Sequence, residues 1–322
     1  MRTDKFTILI PAHNSKSTIK NTLDSLKILN QKLIQEIIYI DDSSTDGSLK
    51  YVQNYLKNSK FKHQIIENKT PQGLAINYNF GIKNSKSRYL ITMHQDIEVT
   101  DPKTLEKILD TFNTNLKCAL VSSDVIHPVE LYKKYNFWMK VNFSRIIGRT
   151  TFGFSGGKFD TLDLEKIKIK FREDLFTHSG EDLAFKFTLI NNNLDNCPSG
   201  VAVIHNHNFD PNYSFFDYLR KENQMNETYG VILRNFGIKY YSFKEIILMI
   251  HRLIFLFLLF VPLINILILP LLIFYIFLYS KRAFLNEFKN PKILLVPFAN
   301  LLVVLFGGLW NIIGFVKGRQ TL

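Results

Sequence analysis

The sequence predicts an α/β fold with a mainly parallel sheet flanked by helices, followed by an apolar helical tail. Over the first 245 residues, short apolar runs alternate with helical patterns, the signature of βαβ units. Several of those runs end in acids or histidines, and ligands bind at the carboxyl ends of strands in open α/β sheets. Two long charge-free stretches near the C-terminus predict the tail.

Taken in order, Phe6–Ile10 reads as a strand that stops at Pro11. Ser17 or Thr18 can cap a helix with Ile19, Leu23, Leu26 and Leu29 on one face. Ile37–Ile40 is a run of four apolar residues, as in a strand buried on both faces. A helix follows with Leu49, Val52, Tyr55 and Leu56, then a short strand at Gln64–Glu67. Gly73 to Asn84 looks helical and Arg88–Met93 extended. Pro102 opens a helix carrying Leu105, Ile108, Leu109 and Phe112, before a strand at Ala119–Ser122. Residues 124–175 are aromatic and show no clear period. Glu181–Ile190 reads as a helix, Val201–His205 as a strand, and Phe215–Phe236 as an amphipathic helix. The expected division is a catalytic domain over residues 1–240 and membrane-anchoring helices over 241–322.

The chain has 322 residues, 40 basic against 28 acidic, and a net charge of +12. From Glu245 onward seven Lys/Arg face two Glu, so about +5 sits beside the apolar runs, as suits an anionic membrane surface. No compact basic cluster interleaved with aromatics is present, which disfavours nucleic acid as a partner. Cys118 and Cys197 give neither a disulfide framework nor a zinc spacing, so a reducing compartment is expected. The Phe6–Ile10 run is too short for the apolar core of a signal peptide.

Leu253–Ser280 is 28 residues without a charge, and Ile293–Val316 is 24 more. Pro262, Asn265 and Pro270 interrupt the first run, which is either one kinked span or a hairpin of two short helices. His251 and Arg252 are expected to snorkel at its start. Lys281, Arg282, Lys289 and Lys292 favour a cytosolic loop between the runs, while Lys317 and Arg319 oppose an external C-terminus. The side of the C-terminus therefore stays open.

Four strand or helix ends carry candidate chemistry. Pro11, Ala12, His13 and Asn14 end the first strand beside Asp41 and Asp42, which end the second. No Gly-x-Gly-x-x-Gly or Gly-Lys-Ser/Thr loop lies there, disfavouring a dinucleotide fold or a phosphate loop. His94-Gln95-Asp96 ends another strand, and Asp96 is a hard oxygen ligand suited to Mg²⁺ or Mn²⁺. Glu181 and Asp182 open a helix, where a carboxylate is stabilised by the dipole or serves as a general base. His205 and His207 fall on one face by strand alternation.

The order Thr7–Asn14 (Thr-Ile-Leu-Ile-Pro-Ala-His-Asn), Ile40–Gly47 (Ile-Asp-Asp-Ser-Ser-Thr-Asp-Gly), Gly73…Asn79-x-Gly81, His94–Asp96 and Gly180–Asp182 resembles family 2 glycosyltransferases of the GT-A fold, over residues 5–210. The tail resembles that of membrane-anchored members building polysaccharides or lipid-linked sugars. The resemblance implies that Pro11, Ala12, His13, Asn14 and Asp42 meet the base and ribose of a nucleotide, with Gly73, Asn79 and Gln95 in the same donor-binding set. It implies a divalent metal, Mn or Mg, on Asp96, with His94 in place of the usual first acid and His205 as a further ligand. Asp182 matches the catalytic base, Glu181 is its neighbour, and Gly156 and Gly157 line the donor-sugar pocket. The Gln-x-x-Arg-Trp motif of processive synthases is absent, Gln224 lacking its Arg and Trp, which implies transfer of a single sugar; in-line attack with Asp182 as base is expected to invert the anomeric carbon. The expected partners are a UDP-sugar and a lipid-linked acceptor at the cell membrane, with a cytoplasmic catalytic domain. The alternative is a polyprenyl-phosphate sugar synthase, with Arg220, Lys221 and Arg234 near the lipid phosphate.

Overall fold

The structure is a computed structural model that describes residues 2–153, 156–207 and 209–320, the side chains of 248 and 249 aside. The elements run β1 (Thr3–Ala12), α1 (Ile19–Ser25), β2 (Ile34–Asp41), α2 (Ser48–Lys57), β3 (His63–Glu67), α3 (Leu74–Asn84), β4 (Ser87–Met93) and β5 (Ile97–Val99). They continue with α4 (Thr104–Thr114), β6 (Cys118–Ile126), α5 (Val129–Lys134), α6 (Phe137–Phe143), β7 (Thr150–Thr151), β8 (Phe159–Asp163), α7 (Glu181–Asn191) and β9 (Asp195–His205). Five helices close the chain: α8 (Phe215–Phe236), α9 (Phe243–Leu259), α10 (Ile264–Tyr279), α11 (Lys281–Glu287) and α12 (Val296–Lys317). The chain forms two compact units: Met1–His127 with Arg149–Glu173 and Glu181–Asn208, and Pro128–Gly148 with Asp174–Gly180 and Phe209–Leu322.

The first unit is built on one mixed sheet in the order β3-β2-β1-β4-β8-β6-β9-β5, with β7 beside β6. Its longest ladders, β1 on β2 and β6 on β9, are parallel. The apolar runs became its central strands because both faces are covered. Ile8, Ile10, Ile37, Tyr39 and Ile91 enter one core with α1, α2 and α4, and Leu9, Ile38, Ile40 and Leu90 enter the other with α3 and α7. Each alternate side chain thus finds an apolar partner, which is what a continuous apolar strand requires.

Three strands, β5, β7 and β8, were not legible as strands. β8, Phe-Asp-Thr-Leu-Asp, is buried along its whole length and separates the two parallel blocks by pairing antiparallel with β4 and β6. Its acids masked it, and the structure satisfies them. Asp163 takes two hydrogen bonds from the Arg88 guanidinium, at 3.1 and 2.9 Å, and Asp160 accepts from the Gly157 amide at 2.8 Å. β5 was absorbed into the His-Gln-Asp segment, and β9 begins six residues earlier than expected, at Asp195. Thr18 stands at the start of α1 but makes no side-chain cap; its hydroxyl donates to the Ser15 carbonyl instead. The helix expected from Pro102 begins at Thr104. The two cysteines meet: Cys118 on β6 and Cys197 on β9 form a disulfide with Cα atoms 6.0 Å apart, which corrects the expectation of isolated thiols.

The second unit is helical. The first apolar run is two helices, α9 and α10, broken at Phe260–Leu263, where Leu263 takes φ +69°. The other apolar helix, Pro291–Lys317, is long and apolar enough to cross a membrane. Arg252 does not snorkel; it is buried, donating to the Asn226 amide oxygen at 2.7 Å and the Tyr279 hydroxyl at 2.6 Å, while Arg145 pairs with Glu222. Asn300 on α12 is likewise buried, donating to Ser144 and Ser280 and accepting from Tyr218. Such groups hold only when bonded, because an unpaired buried polar group is costly.

Helices α8 and α12 approach so closely that a Cβ on Gly230 would stand 2.0 Å from the Asn311 carbonyl oxygen, which is backbone and cannot yield. Gly230→Ala is therefore expected to lower stability by about 1–3 kcal/mol, the range for overpacking. Thermal melting in detergent checks this; an unchanged midpoint would contradict the packing.

Candidate active site

Strand register assembles the site from segments far apart in sequence. The antiparallel pair β4–β8 sets Met93 opposite Phe159, and just beyond it the His94 amide donates to the Lys158 carbonyl at 3.0 Å. The antiparallel pair β5–β9 sets Ile97 opposite His205, so the His205 Nε2 meets Asp96 Oδ2 at 3.1 Å. The parallel pair β6–β9 sets Ile126 opposite Ile204 and brings His127 to the same end.

Candidate ligand atoms of His94, Asp96 and His205 lie within 4.8 Å of one another. These are the three residues singled out for a metal, now drawn together by three strands. Their chemistry fits a divalent cation of the Mn²⁺ type, which accepts carboxylate and imidazole. The Tyr78 hydroxyl donates to the Gly157 carbonyl at 3.3 Å and receives His94 Nε2 at 3.1 Å.

Tyr78 is a site residue that the sequence did not disclose. It lies inside α3, fully buried, at helical spacing that reads as core. Burial pushes its phenol well above its usual value, and the carboxylates of Glu181, Asp182, Asp160 and Asp96 push the same way. The charges of acids from the start of α7, from β8 and from the segment after β4 are thus all felt at one hydroxyl. Glu181 is buried and Asp182 half-buried. Gly157 has φ +73°, and a Cβ there would come 3.0 Å from the Tyr78 oxygen, so glycine is needed on both counts. Gly156 has φ +65°; Phe154 and Ser155, which precede it in the motif, lie outside the described residues.

His127 and His207 form the second half of the histidine cluster, with Nδ1 of His127 3.2 Å from Nε2 of His207. Burial, then the charges of Lys158 and Arg149, hold the His127 ring down to about 4, so it is neutral at pH 7. His127 was missed because it stands alone in sequence, at the end of a strand inside the unreadable region.

At the same carboxyl end of the parallel strands β1 and β4, Gln95 and His13 are locked together. The His13 amide donates to Gln95 Oε1 at 2.7 Å and Gln95 Nε2 donates to the His13 carbonyl at 3.0 Å. His13 Nδ1 meets the Asp42 carbonyl at 2.8 Å, and Asn14, at φ +50°, accepts from the Thr45 amide at 2.8 Å. Pro11 and Ala12 are the last residues of β1, paired with Ile40 and Asp41. The Asp42 carboxylate accepts from Asn68 Nδ2 at 2.8 Å and from the Gln72 and Gly73 amides, each at 2.9 Å. It therefore organises the turn that precedes α3. Asp41 accepts from the Ser44 amide at 2.9 Å. Asn79 is elsewhere: its amide exchanges hydrogen bonds with the Phe171 backbone, at 2.9 and 2.8 Å, and reaches Glu173.

Burial acts to raise the Asp42 carboxyl, but hydrogen bonds from Asn68, Gln72 and Gly73 outweigh it and leave it below 3.8. A carboxyl lowered on folding contributes stability above its unfolded value, and that contribution is lost as pH falls through the lower folded value. The acid limb of the stability curve, below about pH 4, is therefore expected to be shallower in Asp42→Asn. Urea unfolding of the two proteins across that limb measures it; parallel curves would contradict the assignment.

Similarity to known proteins agrees with this architecture. The model of the family described as Glycosyl transferase family 2 matches residues 7–165. A poly(ribitol-phosphate) beta-glucosyltransferase of Bacillus spizizenii is 35% identical over 97 residues, 29% of this chain and 15% of that one. A poly-beta-1,6-N-acetyl-D-glucosamine synthase of Staphylococcus epidermidis is 29% identical over 116 residues, 36% of this chain and 27% of that one. The matched stretches thus span about a quarter or less of these relatives' lengths. The mannosyltransferase PcManGT from Pyrobaculum calidifontis, solved with GDP-Man and Mn²⁺, shares the fold with a TM-score of 0.55 at 14% identity, covering 99% of this chain and 87% of its own. With its GT-A-like sheet and the match across β1 to β8, the chain belongs, through residues 7–165, to glycosyl transferase family 2.

Proposed function

We propose that the chain transfers one sugar from a nucleotide-diphosphate sugar to a hydroxyl of a membrane-associated, lipid-linked glycan, with inversion, in polysaccharide or glycoconjugate synthesis. The observation that carries this reading is the meeting of His94, Asp96 and His205, with the Tyr78 hydroxyl hydrogen-bonded to His94. A UDP-sugar is the donor expected from the family resemblance. The GDP-Man in the mannosyltransferase makes a GDP-sugar the other donor to test.

A divalent cation, Mn²⁺ or Mg²⁺, held by Asp96, His94 and His205 would neutralise charge on the departing diphosphate. The side chains have the following roles. Pro11 to Asn14, braced by Gln95, and the turn at Gly73, braced by Asp42, receive the nucleoside. Gly156 and Gly157 leave room for the sugar. Asp182 takes the proton from the acceptor hydroxyl as its oxygen attacks the anomeric carbon from the face opposite the leaving group. It stands in the first turn of α7, at the end of the helix where a negative charge is favoured.

Membrane attachment follows from the helical unit. Phe257, Phe260, Leu263, Ile266 and Leu267 are 67–80% exposed, a density of apolar surface that water penalises and lipid does not. Cytosolic nucleotide sugars then put the catalytic unit on the cytoplasmic side of the cell membrane. One observation favours the second reading, a polyprenyl-phosphate sugar synthase: Arg145 and Arg252 both pair with the Glu222 carboxylate, bringing two guanidinium groups together in the helical unit. Arg220 is less available, being paired with Asp217 at 2.6 Å. Assays with polyprenyl phosphate and with a lipid-linked oligosaccharide separate the two acceptors.

Asp182→Asn is expected to reduce transfer by about 10²–10⁴-fold, the contribution of a positioned base, while nucleotide binding stays intact. Wild-type turnover in that variant would sink the assignment. Asp96→Ala is expected to weaken donor binding in Mn²⁺ and to remove its metal dependence, as read by calorimetry with and without the ion; an unchanged metal dependence would contradict it.

A further inference from the structure

His127, His205 and His207 form a second set of ligand atoms within 4.8 Å of one another, distinct from the His94–Asp96–His205 set although it shares one ring. We infer that these three imidazoles are a binding site for zinc or a similar borderline-soft divalent ion. The donor set is all nitrogen, and three histidines with an open fourth position are an established zinc arrangement, whereas Mg²⁺ and Ca²⁺ favour oxygen. The spacing agrees. Two nitrogens on a tetrahedral zinc, each about 2.0–2.1 Å from the metal, stand about 3.3 Å apart, and the facing nitrogens of His127 and His207 are 3.2 Å apart. The ring centroid of His127 stands 5.3 Å from that of His207 and 5.5 Å from that of His205, near the roughly 5 Å of two imidazoles on one tetrahedral zinc, while His205 and His207, 3.7 Å apart, have to spread on binding.

The three positions are also prearranged. His127 and His205 are buried at the ends of adjacent strands β6 and β9, and His207 follows two residues later, so backbone ladders rather than flexible loops hold two of the three rings. Burial favours the neutral imidazole that a metal needs. Arg149 and Lys158 are near enough to disfavour a charged His127, and they oppose a cation as well, while Asp96 favours one. The alternative occupant of the gap is a proton shared between His127 and His207. The experiment separates the two.

The full chain, purified in detergent and stripped with a chelator, is dialysed against limiting Zn²⁺ and freed of excess by gel filtration. Elemental analysis is expected to find about one zinc per chain, and His127→Ala and His207→Ala are each expected to retain less than roughly a tenth of that, since each removes one of three ligands. His94→Ala is expected to keep its zinc, because His94 belongs only to the other set. Cobalt in the unmodified chain is expected to give the intense visible absorption of a four-coordinate ion, a readout that needs no variant and no glycosyl transfer. Absence of retained zinc in the wild-type chain, a weak six-coordinate cobalt spectrum, or zinc kept by both His127→Ala and His207→Ala would overturn the site. Loss of transfer in Asp182→Asn does not bear on it.

Discussion

The site depends on the backbone register of β9. This strand pairs with β5 on one edge and β6 on the other, antiparallel and parallel in turn. The two ladders together place Asp96, His127 and His205 at one end of the sheet, although these residues span more than a hundred positions. A slip of one residue would turn His205 to the opposite face. The Cys118–Cys197 disulfide lies on the same two strands, at the far end of the β6–β9 ladder, and limits how far they can slide.

A second constraint is the saturation of buried polar groups. Asp42 takes three hydrogen bonds, Asp163 is gripped by Arg88, and Tyr78 links His94 to Gly157. Each is a group whose burial costs free energy unless it is bonded. Each bond also joins two segments distant in sequence. Some of the polar side chains that make the chain foldable around its sheet therefore also shape the candidate site.

Much of this was legible. The strand ends at Met93 and His205 were readable to the residue, and those of β1 and β2, expected at Ile10 and Ile40, fall at Ala12 and Asp41, because a buried strand shows as an unbroken apolar run and a polar residue at its end is conspicuous. His94, Asp96 and His205 were chosen on chemistry and do come together. β8 was not legible, because Asp160 and Asp163 look like surface residues until Gly157 and Arg88 are placed against them. Tyr78 looked like core, and Asn79, chosen from its motif, is turned to the Phe171 backbone. Arg252 looked like a residue at the lipid boundary; a helix does not announce that Asn226 and Tyr279 will meet its guanidinium.

By itself the sequence determined the alternation of strands and helices, the apolar tail and the identity of the chemical groups at the strand ends. These follow from local periodicity and from the nature of single side chains. Only the tertiary structure decided the partners: the antiparallel insertion of β8, the break of the first apolar run into α9 and α10, and the gathering of four histidines and an aspartate. Partnership is set by ladder register and by close helix contact, which join residues distant in sequence and leave no periodic trace. The opening acid pair illustrates the division. Its place at a strand end was plain from the sequence, but the three donors on Asp42 came from a turn about thirty residues away.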